Sequence, residues 1–162
     1  MTVAIDTNIL LDILLPDLRF KDASFKLLTK YAQTDYLIIS DIVYAELASQ
    51  FANKSLLSKF LSDTNICLIN TSADALWIAA KAWEKYTKER EQYLQCTQCG
   101  NSKLVKCCKC GAVITSRQHI IPDFLIGGHA IIEAERLLTR DRGFYRKYFL
   151  ELAIESPKTG YK

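Results

Sequence analysis

The chain has 162 residues, the length of a single compact domain able to bury an ordinary core. Hydrophobic residues make up 49% and charged residues 24%, a soluble globular balance, and the formal charge of +3 permits a nucleic-acid partner without arguing for one. The N-terminal MTVAIDTNILLDILLPD has an acid at residue 6 and no basic n-region, which excludes a signal peptide, and no apolar run approaches the ~18 residues of a membrane span. The expectation is a soluble cytoplasmic protein without a membrane partner.

In chain order, Val3-Ala-Ile5 is an apolar run ending in Asp6 and reads as a buried strand. Thr7 to Leu15 reads as a helix stopped by Pro16. Asp22 to Gln33 carries apolar residues at helical spacing behind a cap at Asp22. Tyr36 to Ile39 is a second buried strand, and Ser40 caps a helix from Asp41 to Phe51. A helix from Lys54 to Leu61 and a third strand from Ile66 to Ile69 follow. Thr71 or Ser72 caps a long helix running to about Tyr93. Pro122 opens the helix Asp123 to Arg136, where proline is tolerated at the first position. Leu137 to Thr139 is a fourth strand leading to Asp141; a short aromatic helix, Gly143 to Phe149, and a fifth strand, Leu152 to Glu155, complete the chain.

Short apolar strands alternating with helices predict an α/β domain with a mainly parallel central sheet of four to five strands and helices on both faces. Composition shifts only between residues 94 and 118, where Cys, Lys, Gly, Thr and Ser replace the periodic pattern. The chain resumes that pattern afterwards, so this segment reads as an insertion in a single domain spanning 1–162. Within it, CTQCG and CCKCG place Cys96, Cys99, Cys107 and Cys110 as two CxxC pairs, the spacing of a tetrahedral structural Zn²⁺ site. Gly100 and Gly111 supply the freedom a knuckle turn needs. The short stretches that follow the knuckles, Lys103 to Lys106 and Ala112 to Thr115, would form a hairpin as in a zinc ribbon, with Cys108 a bystander and Cys67 a buried small hydrophobe. A closed four-thiolate site is structural, because it leaves no position for a reacting water. Lys103, Lys106, Lys109 and Arg117 make the insert basic, so it is either an extension of a nucleic-acid surface or a stabilising flap.

The chemistry is read elsewhere. In open parallel sheets the functional crevice lies beyond the carboxyl ends of the strands. Asp6 and Asp141 follow the first and fourth strands, Glu46 lies in the helix after the second, and Asp123 opens the helix after the insert. Clustered carboxylates tolerate one another when a hard cation joins them, and Mg²⁺ or Mn²⁺ on such ligands suits phosphodiester hydrolysis by activated water. The bland alternative is four solvated acids, with Asp123 favoured by its helix N-terminus.

Four segments, MTVAIDTNILLD, SDIVYAELAS, PDFLIGGHA and LLTRDRGFYRKYF, resemble the successive motifs of the PIN-domain nucleases, in particular the VapC toxins of type II toxin–antitoxin pairs. The resemblance covers nearly the whole chain outside the cysteine segment. It implies a PIN-like three-layer sandwich and a Mg²⁺- or Mn²⁺-dependent endoribonuclease whose metal is bound by Asp6, Glu46, Asp123 and Asp141. It also implies an RNA substrate (tRNA, rRNA or mRNA), a small antitoxin that masks the site, and a homodimer. The chain departs from the family in having Gly127-Gly128 where a small Ala pair is commoner, and in the insert itself. Two rival functions stand beside the toxin: a housekeeping PIN nuclease in RNA maturation, and a non-catalytic PIN scaffold that binds RNA or protein.

Around the four acids, Thr7 and Asn8 either hold water and phosphate or cap the first helix. Arg140 and Arg142 either contact RNA phosphate or screen neighbouring carboxylates. Asp12 reads as a solvated or salt-bridged helix residue and Asp74 as helix N-terminal charge. Trp77, Trp83, Phe144, Tyr145, Tyr148 and Phe149 read as core or dimer interface. His129 packs along its helix, and His119 borders the insert, where four thiolates already suffice without it as a spare ligand.

Overall fold

The computed structural model describes residues 1–15, 19–89, 93–95, 102–114 and 121–158. Its elements, in order, are β1 (Thr2–Ile5), α1 (Thr7–Leu14), α2 (Lys21–Ala32), β2 (Tyr36–Ile39), α3 (Asp41–Ala48), α4 (Lys54–Asp63), β3 (Ile66–Leu68) and α5 (Ala73–Glu89). The short strands β4 (Leu94–Gln95), β5 (Ser102–Lys103), β6 (Val105–Lys106) and β7 (Val113–Ile114) follow. The chain then forms α6 (Ile121–Glu133), β8 (Arg136–Leu138), α7 (Arg142–Tyr148) and β9 (Ile154–Glu155).

The five-stranded sheet has the order β3-β2-β1-β8-β9, and every neighbouring pair is parallel. Val3, Ala4 and Ile5 are buried in succession, as are Leu37, Ile38 and Ile39. Successive strand residues point to opposite faces, so both faces of the sheet are covered. This is the expected α/β architecture with a parallel central sheet, its fifth strand realised as the short edge strand β9. Glu155 ties that edge down, accepting from Lys30 Nζ at 2.9 Å, from Arg136 Nη1 at 3.0 Å and from the Tyr31 hydroxyl.

Short polar side chains start several of the helices. Ser40 Oγ accepts from the Val43 N–H at 3.2 Å and turns β2 at once into α3. Asn53 does the same for α4, accepting from the Leu56 N–H at 3.0 Å. Of the two cap candidates for α5, Ser72 is the one used, accepting from the Ala75 N–H at 3.3 Å. Thr71 instead donates to Asp41.

The helices α5 and α6 flank the cysteine segment and pack directly on each other. Trp83 of α5 meets Phe124 of α6 edge-on, with ring centroids 5.1 Å apart. Phe124 is also edge-on to Phe144 of α7 at 4.8 Å, and lies 5.7 Å from Tyr148. This aromatic cluster fixes the first turn of α6, where Asp123 stands. Of the aromatics expected in core or interface, Trp77 is the exposed one. Among the described residues, no helix is long and apolar enough to cross a membrane.

Candidate active site

The centre of the site is the pair of adjacent strand ends, β1 and β8. Ile5 is registered with Leu138, and the Asp6 N–H donates to the Leu138 carbonyl at 2.9 Å. Asp6 is the N-cap residue of α1 by position, yet its side chain accepts no capping hydrogen bond. Its Oδ2 instead accepts from the Thr139 hydroxyl and from the Asn8 side-chain amide, each at 2.5 Å. Thr139 is fully buried, and its Oγ1 accepts in turn from the Asp141 N–H at 3.0 Å. Asn8 Oδ1 accepts from the Arg140 N–H at 3.1 Å. The Asp6-Thr-Asn8 and Thr139-Arg-Asp141 segments are thus laced to each other, although 131 residues separate Asn8 from Thr139.

The remaining acids come from the flanking helices. Glu46 stands in the middle of α3, and its Oε2 accepts from the Thr7 hydroxyl. Asp123 stands in the first turn of α6, and Asp141 Oδ1 caps α7 by accepting from the Phe144 N–H at 3.0 Å. Of the two roles open to Thr7 and Asn8, capping of α1 is not the one their side chains take: Thr7 donates to Glu46 and Asn8 to Asp6, which orients both acids. Asp6, Glu46, Asp123, Asp141, Arg140 and Tyr145 all contribute to the lining of one pocket of about 430 Å³.

Electrostatics report the crowding. Burial raises the Asp6 carboxyl to about 6, with smaller contributions from the charges of Asp123 and Glu46, against the lowering effect of its hydrogen bonds. Burial first, and then the charges of Asp6, Asp123, Asp141 and Glu46, holds the Tyr145 phenol well above its ordinary value. Tyr145 is therefore a neutral hydrogen-bond donor at physiological pH. Sequence reasoning placed it only among core aromatics; its position four residues after Asp141 on α7 was the available sign that it shares the site face.

These all-oxygen donors match a hard divalent ion, since Mg²⁺ and Mn²⁺ prefer carboxylates and water to imidazole or thiolate. The raised Asp6 carboxyl is what a cation would relieve. Among the described residues, no three His, Cys, Asp or Glu side chains already stand close enough to enclose a metal ion. The carboxylates line a shared pocket without forming a finished cage.

Other residues settle into plainer places. Asp12 is 2% exposed and paired with Arg140, so of its two readings the solvated one is corrected. The apolar stripe of α1 gives no hint of this, because the partner lies in the chain's last quarter. Asp74 is in the first turn of α5, as its charge predicts. His129 is buried with Nε2 3.0 Å from the Ile69 carbonyl, and burial holds its pKa below the ordinary value. It is a neutral donor packed inside the fold.

In the cysteine segment, β4 pairs antiparallel with β5 and β6 with β7, so two small ribbons are present. At the turn between β6 and β7, the Gly111 N–H donates to the Cys107 carbonyl and the Cys107 N–H to the Ala112 carbonyl, both at 2.8 Å. Gly111 has φ +72°, the left-handed region in which glycine is free of Cβ strain. The Cys110 and Lys109 N–H groups face the Cys107 sulfur and, with the Cys110 side chain, lower its pKa. Cys107, Cys108, Cys110 and Cys67 are all free thiols. Cys96, Cys99, Arg117 and His119, together with the side chain of Arg142, lie outside the described residues.

A parallel sheet whose carboxyl ends open onto an acidic pocket defines an α/β protein with its working surface at the strand ends. The PIN-domain family model matches residues 3–150, and the chain belongs to that family. Solved structures with the same fold include VapBC2 from Rickettsia felis bound to a DNA fragment from its promoter: 22% identity, 98% of this chain and 100% of that one covered, TM-score 0.60. VapBC-1 from nontypeable Haemophilus influenzae is 18% identical over 96% and 98% of the two chains, with TM-score 0.61. VapC20 of Mycobacterium tuberculosis, described as a sarcin-ricin loop cleaving toxin, is 14% identical over 93% and 98%, with TM-score 0.53. At these identities the likeness concerns the fold. No curated protein matched the chain.

Proposed function

We propose that this protein is a divalent-metal-dependent endoribonuclease, the VapC-like toxin of a toxin–antitoxin pair. The observation that carries the reading is the convergence of Asp6, Glu46, Asp123 and Asp141, from four separate parts of the chain, on one pocket at the strand ends. The metal ligands would be those four carboxylates. When bound, Mg²⁺ or Mn²⁺ supplies polarisation of the phosphoryl oxygen and a lowered pKa for an attacking water. The chain's own residues do the rest. Thr139 and Asn8 fix Asp6, Thr7 turns Glu46, and the Phe124 cluster anchors Asp123. Tyr145, kept as a phenol, donates to whatever anionic oxygen enters the pocket. Hydrolysis of this kind forms no covalent bond to the protein.

Family membership supports nuclease chemistry, and the VapBC assemblies among the similar structures support an antitoxin partner. A cytoplasmic site of action, where RNA is available, and a homodimeric state complete the reading. The test is sequencing of RNA 5′ ends after induction of the parent and of Asp6→Asn side by side. New 5′ ends confined to the parent, with growth arrest that co-expression of an adjacent small antitoxin relieves, are the expected result. Identical end profiles in the two strains would overturn the catalytic reading, and cleavage without arrest would favour the RNA-maturation nuclease.

We read residues 94–118 as an insertion clipped by a structural Zn²⁺ on Cys96, Cys99, Cys107 and Cys110. Support comes from the knuckle-like turn at Cys107–Gly111 and from the direct packing of α5 on α6 across the segment. Purified protein should then carry about one equivalent of zinc by elemental analysis, which Cys107→Ser and Cys110→Ser each reduce severalfold while RNA cleavage persists. Full retention of zinc in both variants would refute the assignment. The basic residues of the insert, Lys103, Lys106 and Lys109 among them, extend the RNA surface on this reading.

A further inference from the structure

The pocket poses an electrostatic problem. Four carboxylates line it, and a polyanionic backbone must still approach. We propose that Arg140 is a phosphate-binding residue of this site, held in position by the buried carboxylate Asp12; this rests on the ribonuclease reading above.

Asp12 lies on α1 beyond Asp6 and is nearly inaccessible. Its Oδ1 is 3.3 Å from Arg140 Nη1, and its Oδ2 accepts from the Ser24 hydroxyl at 2.6 Å. Ser24, on α2, is fully buried. The Arg140 guanidinium also lies over the Phe20 ring, 4.6 Å from its centroid, and its backbone N–H is held by Asn8. The side chain is therefore fixed from three directions: a carboxylate, an aromatic face and its own main chain.

The plain alternative is that Arg140 exists to neutralise a buried acid. The exposure of the two partners separates the readings. The Asp12 side chain is 2% exposed, whereas that of Arg140 is 33% exposed and lines the pocket beside Asp6 and Asp141. A cation needed only for Asp12 has no reason to face the acidic cleft. A guanidinium presents its N–H donors in a planar fork, and that fork suits a phosphodiester. Fixing it beforehand removes the ordering cost that a free arginine side chain bears on binding. Asp12 is thus a positioning residue, and Arg140 grips a backbone phosphate flanking the cut.

The test is fluorescence anisotropy of a labelled single-stranded RNA, in an Asp6→Asn background that prevents cleavage, across a series of KCl concentrations. Each phosphate contact in single strands contributes about 0.7 to the slope of log K against log salt. Arg140→Gln should make that slope shallower by about 0.7 and weaken low-salt binding roughly tenfold. Arg140→Lys, which keeps the charge but not the fork, should keep the slope and lose part of the affinity. The single variant leaves Asp12 buried and unpaired, so the double variant Asp12→Asn/Arg140→Gln removes both charges together and secures a folded protein. It should show the same shallower slope. A folded Arg140→Gln or double variant with the parent's slope and affinity overturns the proposal, while leaving the ribonuclease reading intact. A parent that binds no single-stranded RNA at any salt defeats both.

Discussion

Asp6→Asn should cut cleavage by orders of magnitude and, in the same protein stripped of divalent ions, raise stability at neutral pH. The two effects have one source. Asp6 is 6% exposed, and burial with the neighbouring acids raises its carboxyl to about 6 in the fold from 3.8 otherwise. A carboxylate whose folded pKa is raised penalises the native state once it ionises. The native state is least burdened below pH 4, loses stability as pH climbs from about 4 to about 6, and stays at the lower level above that. The difference of about two pH units corresponds to a penalty of up to about 3 kcal/mol at pH 7.5. Asparagine keeps a carbonyl oxygen to accept from Thr139 and Asn8 but carries no charge. Its melting temperature should exceed the parent's by roughly 5–10 °C at pH 7.5, with the gap closing near pH 4. Mn²⁺ should close the gap at pH 7.5 as well, by stabilising the parent and not the variant. Cleavage should fall by roughly 10²- to 10⁴-fold. A variant less stable than the parent at pH 7.5 without metal would contradict this electrostatic account.

Gly128→Ala should lower stability by about 1–3 kcal/mol, or roughly 2–10 °C in melting temperature, and reduce cleavage with it. On an isolated helix the same change gains about 1 kcal/mol, because alanine is the better helix former. Packing reverses the sign here. A Cβ on Gly128 would sit 2.3 Å from the Ala75 carbonyl oxygen and 3.0 Å from the Ala79 Cβ. Neither neighbour can rotate away, the first being backbone and both belonging to α5. The helices α5 and α6 must separate, and α6 carries Asp123 and the Phe124 anchor. At Gly127 the added Cβ meets the Phe149 ring instead, with 2.4 Å to Cε2. A side chain can give way more readily than main chain, so Gly127→Ala should cost less than Gly128→Ala. The reverse order, or a rise in melting temperature for Gly128→Ala, would show that the helices are not in this contact.

The strand–helix alternation and the sheet were legible because each strand is an uninterrupted apolar run flanked by caps and acids. Tyr36–Ile39 coincides with its expected bounds, and β1, β3 and β8 differ by a residue or so at their ends. The helix after Ser40 ends at Ala48 where the pattern ran on to Phe51, since the last apolar residue packs on the core without being helical. Asp6, Asp123 and Asp141 stood out as candidates for a positional reason, each following or opening an element. Glu46 lies inside α3 and was singled out by the helix that follows the second strand; all four line one pocket. Asp12 and Tyr145 were not. A buried aspartate is intelligible only through Arg140, which lies far away in sequence and close in space. A buried tyrosine looks like any core aromatic until the fold turns its ring toward the acids. The glycine pair is a similar case: the local pattern shows only a weakened helix, and the reason appears in the distance to Ala75.

The central claim is that these carboxylates form a metal-dependent ribonuclease site, and the cleavage rate of single-stranded RNA by purified protein tests it most directly. The parent would be titrated with Mg²⁺ or Mn²⁺, with Asp6→Asn, Glu46→Gln, Asp123→Asn and Asp141→Asn measured in parallel. The account predicts internal cleavage by the parent that needs the divalent ion, vanishes with EDTA, and is lost in each variant. Full-rate cleavage in EDTA, or an Asp6→Asn variant that cuts as fast as the parent in Mg²⁺, would contradict it.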